Sequence, residues 1–307
     1  MKIIGIMCVK NEDWVLEASL HAALQWCDSI VLVDHSSTDT TYDIYNRLAS
    51  HYVRRINYSR WESTKLQKCF DPHTKGFIEI PVVDPDAPWD EMDMRQHSLV
   101  IGRKYRGTHF AIIDADEILT ANLKNSVRDW AESLQPGQCM NLPMLAMRTL
   151  DQYQNDESVW SRAQLTIMFR DDPVLTWKPA GDGYHHHHRA PYGIAKNNFV
   201  PHTDKSVGGV MHLQFANRRR LMSKHILYRM VDHLRWPGRE TVDRLNEKYD
   251  EALVHSTSLS KVPEEWWRGY RKDKIRLETY PWQDGEIRKL IRKNGRPAFS
   301  GLDLKGM

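Results

Sequence analysis

The stretch Ile112-Ile113-Asp114-Ala115-Asp116-Glu117 follows Phe110 and places three carboxylates directly after an apolar run. A short apolar run with this ending predicts a buried β-strand whose carboxyl end carries Asp114 and Asp116. Mg²⁺ and Mn²⁺ prefer carboxylate oxygens, and a cation held at such a strand end would neutralise a diphosphate. The same acids would equally begin a turn or cap a helix, so the stretch alone leaves both interpretations open.

Length and composition indicate a globular protein without a dominant charge. The chain has 307 residues, 41% of them hydrophobic, which is enough for one large α/β domain or two smaller ones. Its 43 basic and 40 acidic side chains leave a net charge of +3, so only local basic patches would bind polyanions. No apolar run has the length of a signal peptide or a membrane span. Four cysteines without CxxC spacing favour a reducing compartment, and we expect a cytoplasmic protein.

The first third of the chain alternates strand and helix patterns, which is typical of a parallel, doubly wound sheet. We predict strands at residues 3–9, 29–33 and 53–58, with a helix after each of the first two. Residues 59–90 contain several prolines and are predicted to be irregular. A helix over about residues 90–105 then leads to the strand that ends at Asp114.

Polar residues follow three of these predicted strands. They are Lys10-Asn11-Glu12, Asp34 and Asp114-Ala115-Asp116. Because ligands of open α/β sheets bind beyond the carboxyl ends of the strands, we expect these residues along one edge of the sheet. No GxGxxG or GxxxxGK[ST] sequence follows any of the strands, which disfavours a Rossmann dinucleotide site and a P-loop. A metal ion is therefore expected to bind the phosphates of a ligand.

Three motifs occur in a fixed order within about the first 120 residues: Val9-Lys10-Asn11-Glu12, residues 30–41 (IVLVDHSSTDTT) and Asp114-Ala115-Asp116-Glu117. Together they resemble a family 2 glycosyltransferase of the GT-A fold with a DxD-type acidic motif. The resemblance implies a Rossmann-like α/β fold, with a mostly parallel sheet flanked by helices. It also implies a metal-dependent transferase that uses a nucleotide-sugar donor, a UDP-sugar first of all, with Mn²⁺ or Mg²⁺ as cofactor.

The resemblance further implies roles for single residues. Asp34 matches the carboxylate that hydrogen-bonds the donor nucleobase, and Asp114 and Asp116 together match the metal and ribose contacts. The expected donor-binding residues are Lys10, Glu12, Asp34, Asp39, Arg95, Asp114 and Lys224. The alternatives are structural: Asp34 would open a turn, Asp39 would cap a helix and Arg95 would lie on a solvated helix face.

The second half of the chain adds a histidine and a basic helix. Residues 208–215 predict a strand that contains His212, and a helix from Asn217 to about Leu234 carries Lys224. The resemblance implies that a histidine in this part of the chain completes the metal shell and that a following basic group holds the diphosphate. The expected metal ligands are Asp114, Asp116 and His212. A hydrogen-bonded core histidine and, for Arg218 to Arg220, a solvated helix face remain alternatives.

The catalytic base is the least defined part of the prediction. Predicted strands at Gln164–Arg170 and Val174–Trp177 precede Gly181-Asp182-Gly183 and four consecutive histidines that begin at His185. Relatives in the resembling family place a His-Glu pair near the acceptor here, but the glutamate is missing. Neighbouring residues on a strand point to opposite sides, so at most two of these histidines would serve one site. We choose Asp182 and His185 as candidate catalytic residues, with a structural histidine cluster as the alternative.

Residues 237–307 predict a C-terminal helical extension that follows a transferase domain at residues 1–236, divided near residue 120 into nucleotide-binding and acceptor halves. Helical patterns occupy about residues 240–253, 264–278 and 284–293. Trp266-Trp267 would stack on a glycan or nucleic acid or, as we favour, dock the extension onto its domain.

The acceptor is expected to be a hydroxyl of a glycan or glycoconjugate. Alternatives are a DNA-modifying glycosyltransferase that uses the basic residues of 218–224 and 268–276, and a non-catalytic glycan- or nucleic-acid-binding protein on the same fold. A nucleotidyltransferase is disfavoured, because no glycine-rich basic loop follows the first strand. The sequence does not determine the oligomeric state.

Overall fold

The computed structural model describes residues 1–62, 64–71, 76–83, 91–178, 189–195, 197–250 and 258–304, with the backbone alone for 64–71 and 76–83. The strands are β1 (Ile3–Val9), β2 (Ser29–Asp34), β3 (Ile56–Arg60), β4 (Thr64–Asp71), β5 (Gly76–Val83), β6 (His109–Ile112), β7 (Glu117–Leu119), β8 (Cys139–Ala146), β9 (Gln152–Gln154), β10 (Gln164–Arg170), β11 (Val210–His212) and β12 (Leu259–Lys261). The α-helices are α1 (Leu16–Ala23), α2 (Thr41–His51), α3 (Glu91–Lys104), α4 (Lys124–Ser133), α5 (Val159–Arg162), α6 (Arg218–Arg235), α7 (Val242–Asp250) and α8 (Gln283–Asn294). Short 3-10 helices cover Ala121–Leu123, Lys205–Val207, Leu213–Phe215, Glu264–Trp267, Lys272–Lys274 and Arg296–Phe299.

An eight-stranded sheet organises the protein in the order β3-β2-β1-β6-β10-β8-β11-β7. The strands β3, β2, β1 and β6 run parallel, and β10 is antiparallel to both of its neighbours. On the far side, β11 is parallel to β8 and antiparallel to β7. The predicted α/β class is confirmed: the sheet is mostly parallel, helices flank it, and further helices follow at the C-terminal side.

The central strand β1 explains why the sheet is covered on both faces. Ile3 and Met7 belong to one apolar cluster, which α1 completes, whereas Ile4 and Ile6 belong to a second cluster with residues of α3. Successive side chains of a strand point to opposite faces, so a strand that is apolar at every position needs a helix layer on each side. All seven residues of β1 are buried.

The prediction that residues 59–90 are irregular was wrong for much of that range. The backbone of β4 and β5 forms a two-stranded antiparallel ribbon that pairs Thr64 with Val83 and Asp71 with Gly76. Proline and glycine residues led to the irregular prediction, but Pro81 is compatible with β5 because each strand of an isolated ribbon has a free edge. The third predicted strand also begins later, at Ile56.

Three further predictions in the second half need correction. Residues 174–177 form no strand; Thr176 makes only an isolated bridge to Tyr192. The long strand predicted over 208–215 shortens to β11, because the chain turns into the 3-10 helix at Leu213–Phe215. The helix predicted over 264–278 is replaced by two 3-10 helices. Strand β8, in the middle of the sheet, was not predicted from the sequence at all.

Gly209 determines how closely β11 approaches β8. A Cβ atom built at this position would lie 2.2 Å from the carbonyl oxygen of Pro143, so no larger residue fits without a backbone shift. The close approach sets the register of β11, which places His212 opposite Glu117 of β7. A histidine far along the chain thereby reaches the acidic motif.

The C-terminal region packs in two ways. Trp266 and Trp267 are buried in the main core, and the Trp267 Nε1–H donates to the Leu150 carbonyl at 3.0 Å. These rings therefore dock the C-terminal region onto the domain. Because both rings are buried, they do not stack on a ligand. Helices α7 and α8 share a separate apolar cluster with α6. The domain boundary at residue 236 stays a prediction. Within the described ranges no helix is both long and apolar enough to span a bilayer.

Candidate functional site

A cleft of about 870 Å³ extends from the carboxyl ends of β1 and β6 along helix α6. Seven predicted site residues line it: Lys10, Glu12, Arg95, Asp114, Asp116, His212 and Lys224. We call the part around Asp114, Asp116, Glu117 and His212 the inner end, and the part around Arg235, Trp236 and Arg239 the outer end. Arg235 lies eleven residues after Lys224 on α6, which corresponds to a helical rise of about 16 Å between the two positions.

Asp116 and His212 meet at the inner end. The Asp116 Oδ1 atom lies 3.6 Å from His212 Nε2, and both side chains are largely buried. The other ring nitrogen, His212 Nδ1, lies 3.4 Å from the sulfur of Met144. Burial opposes ionisation of Asp116, but His212, Lys224 and Arg220 outweigh that effect and lower its pKa below the ordinary value of 3.8. Asp116 is therefore a carboxylate at neutral pH.

Asp114 is held between two arginines. Its Oδ1 accepts from Arg95 Nη2 at 2.7 Å and its Oδ2 accepts from Arg189 Nη1 at 3.1 Å. Arg95 is only 1% exposed, and it also donates to Glu91 at 2.7 Å. The alternative of a solvated helix face is therefore wrong for Arg95. Its described contacts orient Asp114, and direct contact with a donor stays a prediction.

Arg189 was not predicted from the sequence and makes the densest set of contacts at the inner end. Its guanidinium binds both carboxylate oxygens of Glu117, at 2.8 and 2.6 Å, and it also reaches Asp114. Its Nε and Nη2 donate to the carbonyls of Thr166 and Ile112. Burial alone would lower its pKa, but Glu117 and Asp114 outweigh burial and raise the pKa of Arg189 above its ordinary value. No sequence signal marked Arg189 apart from its position after the histidine run.

The inner end fits a metal ion that is only partly coordinated by protein. Among the described residues, no group of three His, Cys, Asp or Glu side chains is close enough to hold a metal ion. Asp116 and His212 offer two donors that line the cleft. Mg²⁺ commonly uses one or two carboxylates and takes its remaining ligands from phosphates and water, so a two-residue set suits a phosphate-bound ion. Asp114 would have to release an arginine before it bound a metal directly.

Lys224 and Lys10 place two amines along the cleft. Lys224 Nζ donates to Gln214 at 3.0 Å and lies 5.8 Å from the Tyr228 ring centroid. Burial lowers the pKa of Lys224, but Tyr228, Asp116 and Glu12 outweigh burial and raise it. Lys10 Nζ lies 3.1 Å from His35 Nδ1, and burial lowers its pKa.

Glu12 fixes the start of α6 against the loop after β1. Its Oε1 accepts from Arg220 Nη2 at 2.7 Å and its Oε2 accepts from the Trp14 indole at 2.6 Å. Arg220 also donates to the Asn11 carbonyl at 2.9 Å and is buried, so the solvated-face alternative is wrong for this arginine. Both carboxylate oxygens of Glu12 accept hydrogen bonds from protein groups, so the described contacts are structural. Donor binding by Glu12 stays a prediction.

The loops after β1 and β2 are locked together. Asn11 has a φ of 55°, a left-handed conformation that asparagine tolerates better than most residues, and its Oδ1 accepts from the Thr38 and Asp39 N–H groups. Asp34 accepts from Ser37 and from the Tyr58 hydroxyl at 2.7 Å. Burial and this hydrogen bond raise the Tyr58 pKa.

Two predicted donor contacts, Asp34 and Asp39, do not line the cleft. Asp34 is 2% exposed, and Asp39 accepts from the N–H groups of Asp13 and Thr41, at the start of α2. The structure therefore shows structural contacts for both residues, and their contact with a nucleobase stays a prediction. Asp182 and His185 lie outside the described residues.

The sequence matches no protein-family model and no curated protein. Among solved structures it is similar to Staphylococcus aureus TarS residues 1–349, with 14% identity, a TM-score of 0.37, and coverage of 98% of this chain and 83% of that one. The UDP complex of the same protein has 13% identity and a TM-score of 0.35. That match covers 55% of this chain and 47% of the TarS chain, so it spans about half of the latter. A mannose-1-phosphate geranyltransferase from Thermus thermophilus has 11% identity and a TM-score of 0.28, and the match covers 50% of this chain and 48% of that one.

Proposed function

We propose that this protein transfers a sugar from a nucleotide-diphosphate sugar to an acceptor hydroxyl. The observation that carries the proposal is the meeting of Asp116, His212 and Lys224, three residues from separate segments, in one cleft at the carboxyl edge of the sheet. That edge is where open α/β sheets bind ligands. The resemblance of the three N-terminal motifs to a GT-A, family 2 glycosyltransferase supports the same activity.

The metal would be held by Asp116 and His212, and their mixed carboxylate and imidazole donors suit Mn²⁺ as well as Mg²⁺. When bound, the ion would supply positive charge to the diphosphate leaving group. Asp114 would remain an organising residue, because its two arginine partners hold it in place. This ligand set is smaller than the sequence prediction, which included Asp114.

Lys224 would bind the oxygens of the departing diphosphate. Its charge is favoured by Asp116 and Glu12, and its hydrogen bond to Gln214 fixes where the amine points. Fixed charges in a partly buried cleft stabilise a developing anion better than mobile water does. The Glu12–Arg220 pair would keep the first turn of α6 against the β1 loop, which positions Lys224 relative to Asp116.

In the reaction the bond between the sugar carbon and the diphosphate oxygen breaks, and a bond from the acceptor oxygen to the same carbon forms. The acceptor hydroxyl gives its proton to a general base. Asp182 and His185 remain our candidates for that base, as the sequence suggested. A UDP-sugar is the first donor to examine.

The direct test is a thermal-shift screen of UDP, GDP, CDP and TDP with and without Mn²⁺. A ligand at 100 times its dissociation constant stabilises the folded protein by about 2.7 kcal/mol, so one nucleotide should raise the melting temperature and Mn²⁺ should enlarge the increase. If none of the four shifts the transition in either condition, the transferase proposal fails.

A further inference from the structure

The start of helix α8 forms part of the wall of the cleft. Asp34, the residue that the sequence resemblance assigns to the nucleobase, does not line the cleft, whereas Trp282, Gln283 and Glu286 do. They share the cleft with Lys10, at the carboxyl end of β1, where open α/β sheets bind their ligands. A part of the C-terminal region therefore belongs to the candidate donor site.

The start of α8 is held beside Lys224, the residue proposed to bind the diphosphate. Ser223 directly precedes Lys224 on α6, and its Oγ donates to Asp284 Oδ1 at 2.5 Å. Ile287 packs into the apolar cluster that α8 shares with α6 and α7. Packing and a hydrogen bond thus fix α8 relative to Lys224, as a binding surface for a rigid ligand requires.

Gln283 is a buried polar side chain without a partner for its carbonyl oxygen. The residue is 3% exposed, and its Oε1 atom accepts no hydrogen bond from the residues that the structure describes. A buried acceptor without a donor costs free energy, which a ligand that supplies the donor recovers. Because no hydrogen bond fixes Oε1, the amide is free to turn about its last bond towards a ligand in the cleft.

Trp282 and Lys10 lie side by side next to Gln283. Lys10 Nζ lies 5.6 Å from the Trp282 ring centroid and 3.1 Å from His35 Nδ1. Trp282 is half-buried, and its indole N–H has no hydrogen-bond partner among the described residues. This part of the cleft therefore combines a flat aromatic ring, an amide and an ammonium group. Together these groups suit a planar ring that carries carbonyl and N–H groups.

The charges of α8 favour a neutral ligand over a second phosphate. The N-terminus of a helix attracts anions, but the first turn of α8 carries the carboxylates of Asp284 and Glu286. Glu286 lines the cleft itself and pairs with Lys289 at 2.7 Å. A phosphate at this position would approach two carboxylates, whereas a neutral base would not be repelled.

We propose that Trp282 and Gln283 bind the uracil of the donor, so that the C-terminal region completes the nucleotide site. The inference rests on the transferase function proposed above and assigns its base-recognition residues. Uracil carries an N–H between two carbonyl oxygens. The N–H donates to Gln283 Oε1, a carbonyl oxygen accepts from Lys10 Nζ, and the Trp282 indole stacks on the ring.

The test compares UDP with inorganic pyrophosphate, which lacks a base, by isothermal titration in the presence of Mn²⁺. Gln283→Met keeps a similar side-chain volume and removes both hydrogen-bonding groups. UDP binding should weaken about tenfold, while pyrophosphate binding should stay within about twofold of the wild type. Because Oε1 has no donor in the described protein, the substitution should not lower the midpoint of urea unfolding.

Two further variants accompany this measurement. Trp282→Leu removes the stacking face and should weaken UDP binding about tenfold, again with little change for pyrophosphate. Gln164→Met is the matched control, since Gln164 is exposed at the start of β10 and lies outside the cleft. It should change neither affinity.

Four results would overturn the inference: wild-type protein that binds UDP no more tightly than pyrophosphate, unchanged UDP affinity in Gln283→Met, equal losses for UDP and pyrophosphate, or a lowered urea midpoint in that variant. Each of them leaves the transferase proposal standing if UDP binds. A screen in which GDP or CDP binds and UDP does not removes the uracil assignment alone. Failure of all four nucleoside diphosphates removes the transferase proposal, and this inference with it.

Discussion

The two ends of the cleft differ in how their charges are arranged. At the inner end, buried and half-buried carboxylates pair with guanidiniums, as buried Glu117 and half-buried Asp114 do with Arg189. At the outer end, Arg235 and Arg239 are exposed around Trp236. A buried network fixes geometry, because breaking it leaves an uncompensated charge, whereas solvent and salt screen the charges of an exposed cluster. The inner end therefore has a fixed arrangement of charges, whereas the guanidiniums at the outer end face solvent.

The largest expected effect comes from Arg189→Gln at the inner end. Removal of the guanidinium leaves the buried Glu117 carboxylate without its partner, which should lower the free energy of unfolding by about 3–5 kcal/mol. Urea unfolding measures the change. The control is Arg47→Gln, which breaks a more exposed pair with Glu17 and should cost less than about 1 kcal/mol. Equal losses in the two variants would show that the inner network is no more important than a surface pair.

The next largest effect is expected for Asp116→Asn, which removes the carboxylate beside His212. The variant should lose on the order of 100-fold in Mn²⁺-dependent affinity for the nucleoside diphosphate found in the screen. Isothermal titration with and without Mn²⁺ gives the comparison. Asp129→Asn is the matched control, since Asp129 is exposed on α4 away from the cleft. If Asp116→Asn keeps the Mn²⁺ enhancement, the metal does not bind at the inner end.

The pH dependence of stability should reveal a neutral histidine in the cleft, His225. Burial lowers the pKa of His225 from 6.5 to about 4, and its Nδ1–H donates to the Tyr249 carbonyl. The unfolded chain therefore binds this proton first, so stability falls as the pH drops from 6.5 towards 4. The His225 contribution should be about 1.5 kcal/mol between about pH 6.5 and 5.

His225→Gln should remove that part of the pH dependence in urea unfolding at several pH values. His51→Gln, at an exposed position at the end of α2, should keep it. Parallel pH profiles for the wild type and His225→Gln would mean that His225 titrates alike in the folded and unfolded states.

The smallest effect concerns Asp34, outside the cleft. Tyr58→Phe removes one hydrogen bond to this buried carboxylate and should lower the free energy of unfolding by about 0.5–1.5 kcal/mol. Tyr280→Phe, on a ring that is 61% exposed, should have no measurable effect. If Tyr58→Phe instead changes nucleotide affinity without changing stability, Asp34 contacts the donor as the sequence resemblance implies.

The N-terminal strands and their polar ends were predictable because their signals are local. A strand that is buried on both faces is apolar at every position, which made β1 readable from residues 3–9 alone. Because β1 and β6 are parallel and their carboxyl ends lie at one edge of the sheet, Lys10, Asp114 and Asp116 were predicted at that edge. The region after Asp116 was less predictable, because β8 and the 3-10 helices depend on packing against distant residues.

By itself the sequence determined the α/β class, the strand ends that carry the polar residues, and the candidates His212 and Lys224. Only the tertiary structure decided which charges are accessible to a ligand. Arg220 and Arg239 look alike in the sequence, yet one is buried on Glu12 and the other lies exposed beside Trp236. The reason is physical: a side chain's partners come from segments far away in the chain, and ion pairing and burial are set by that packing rather than by local pattern.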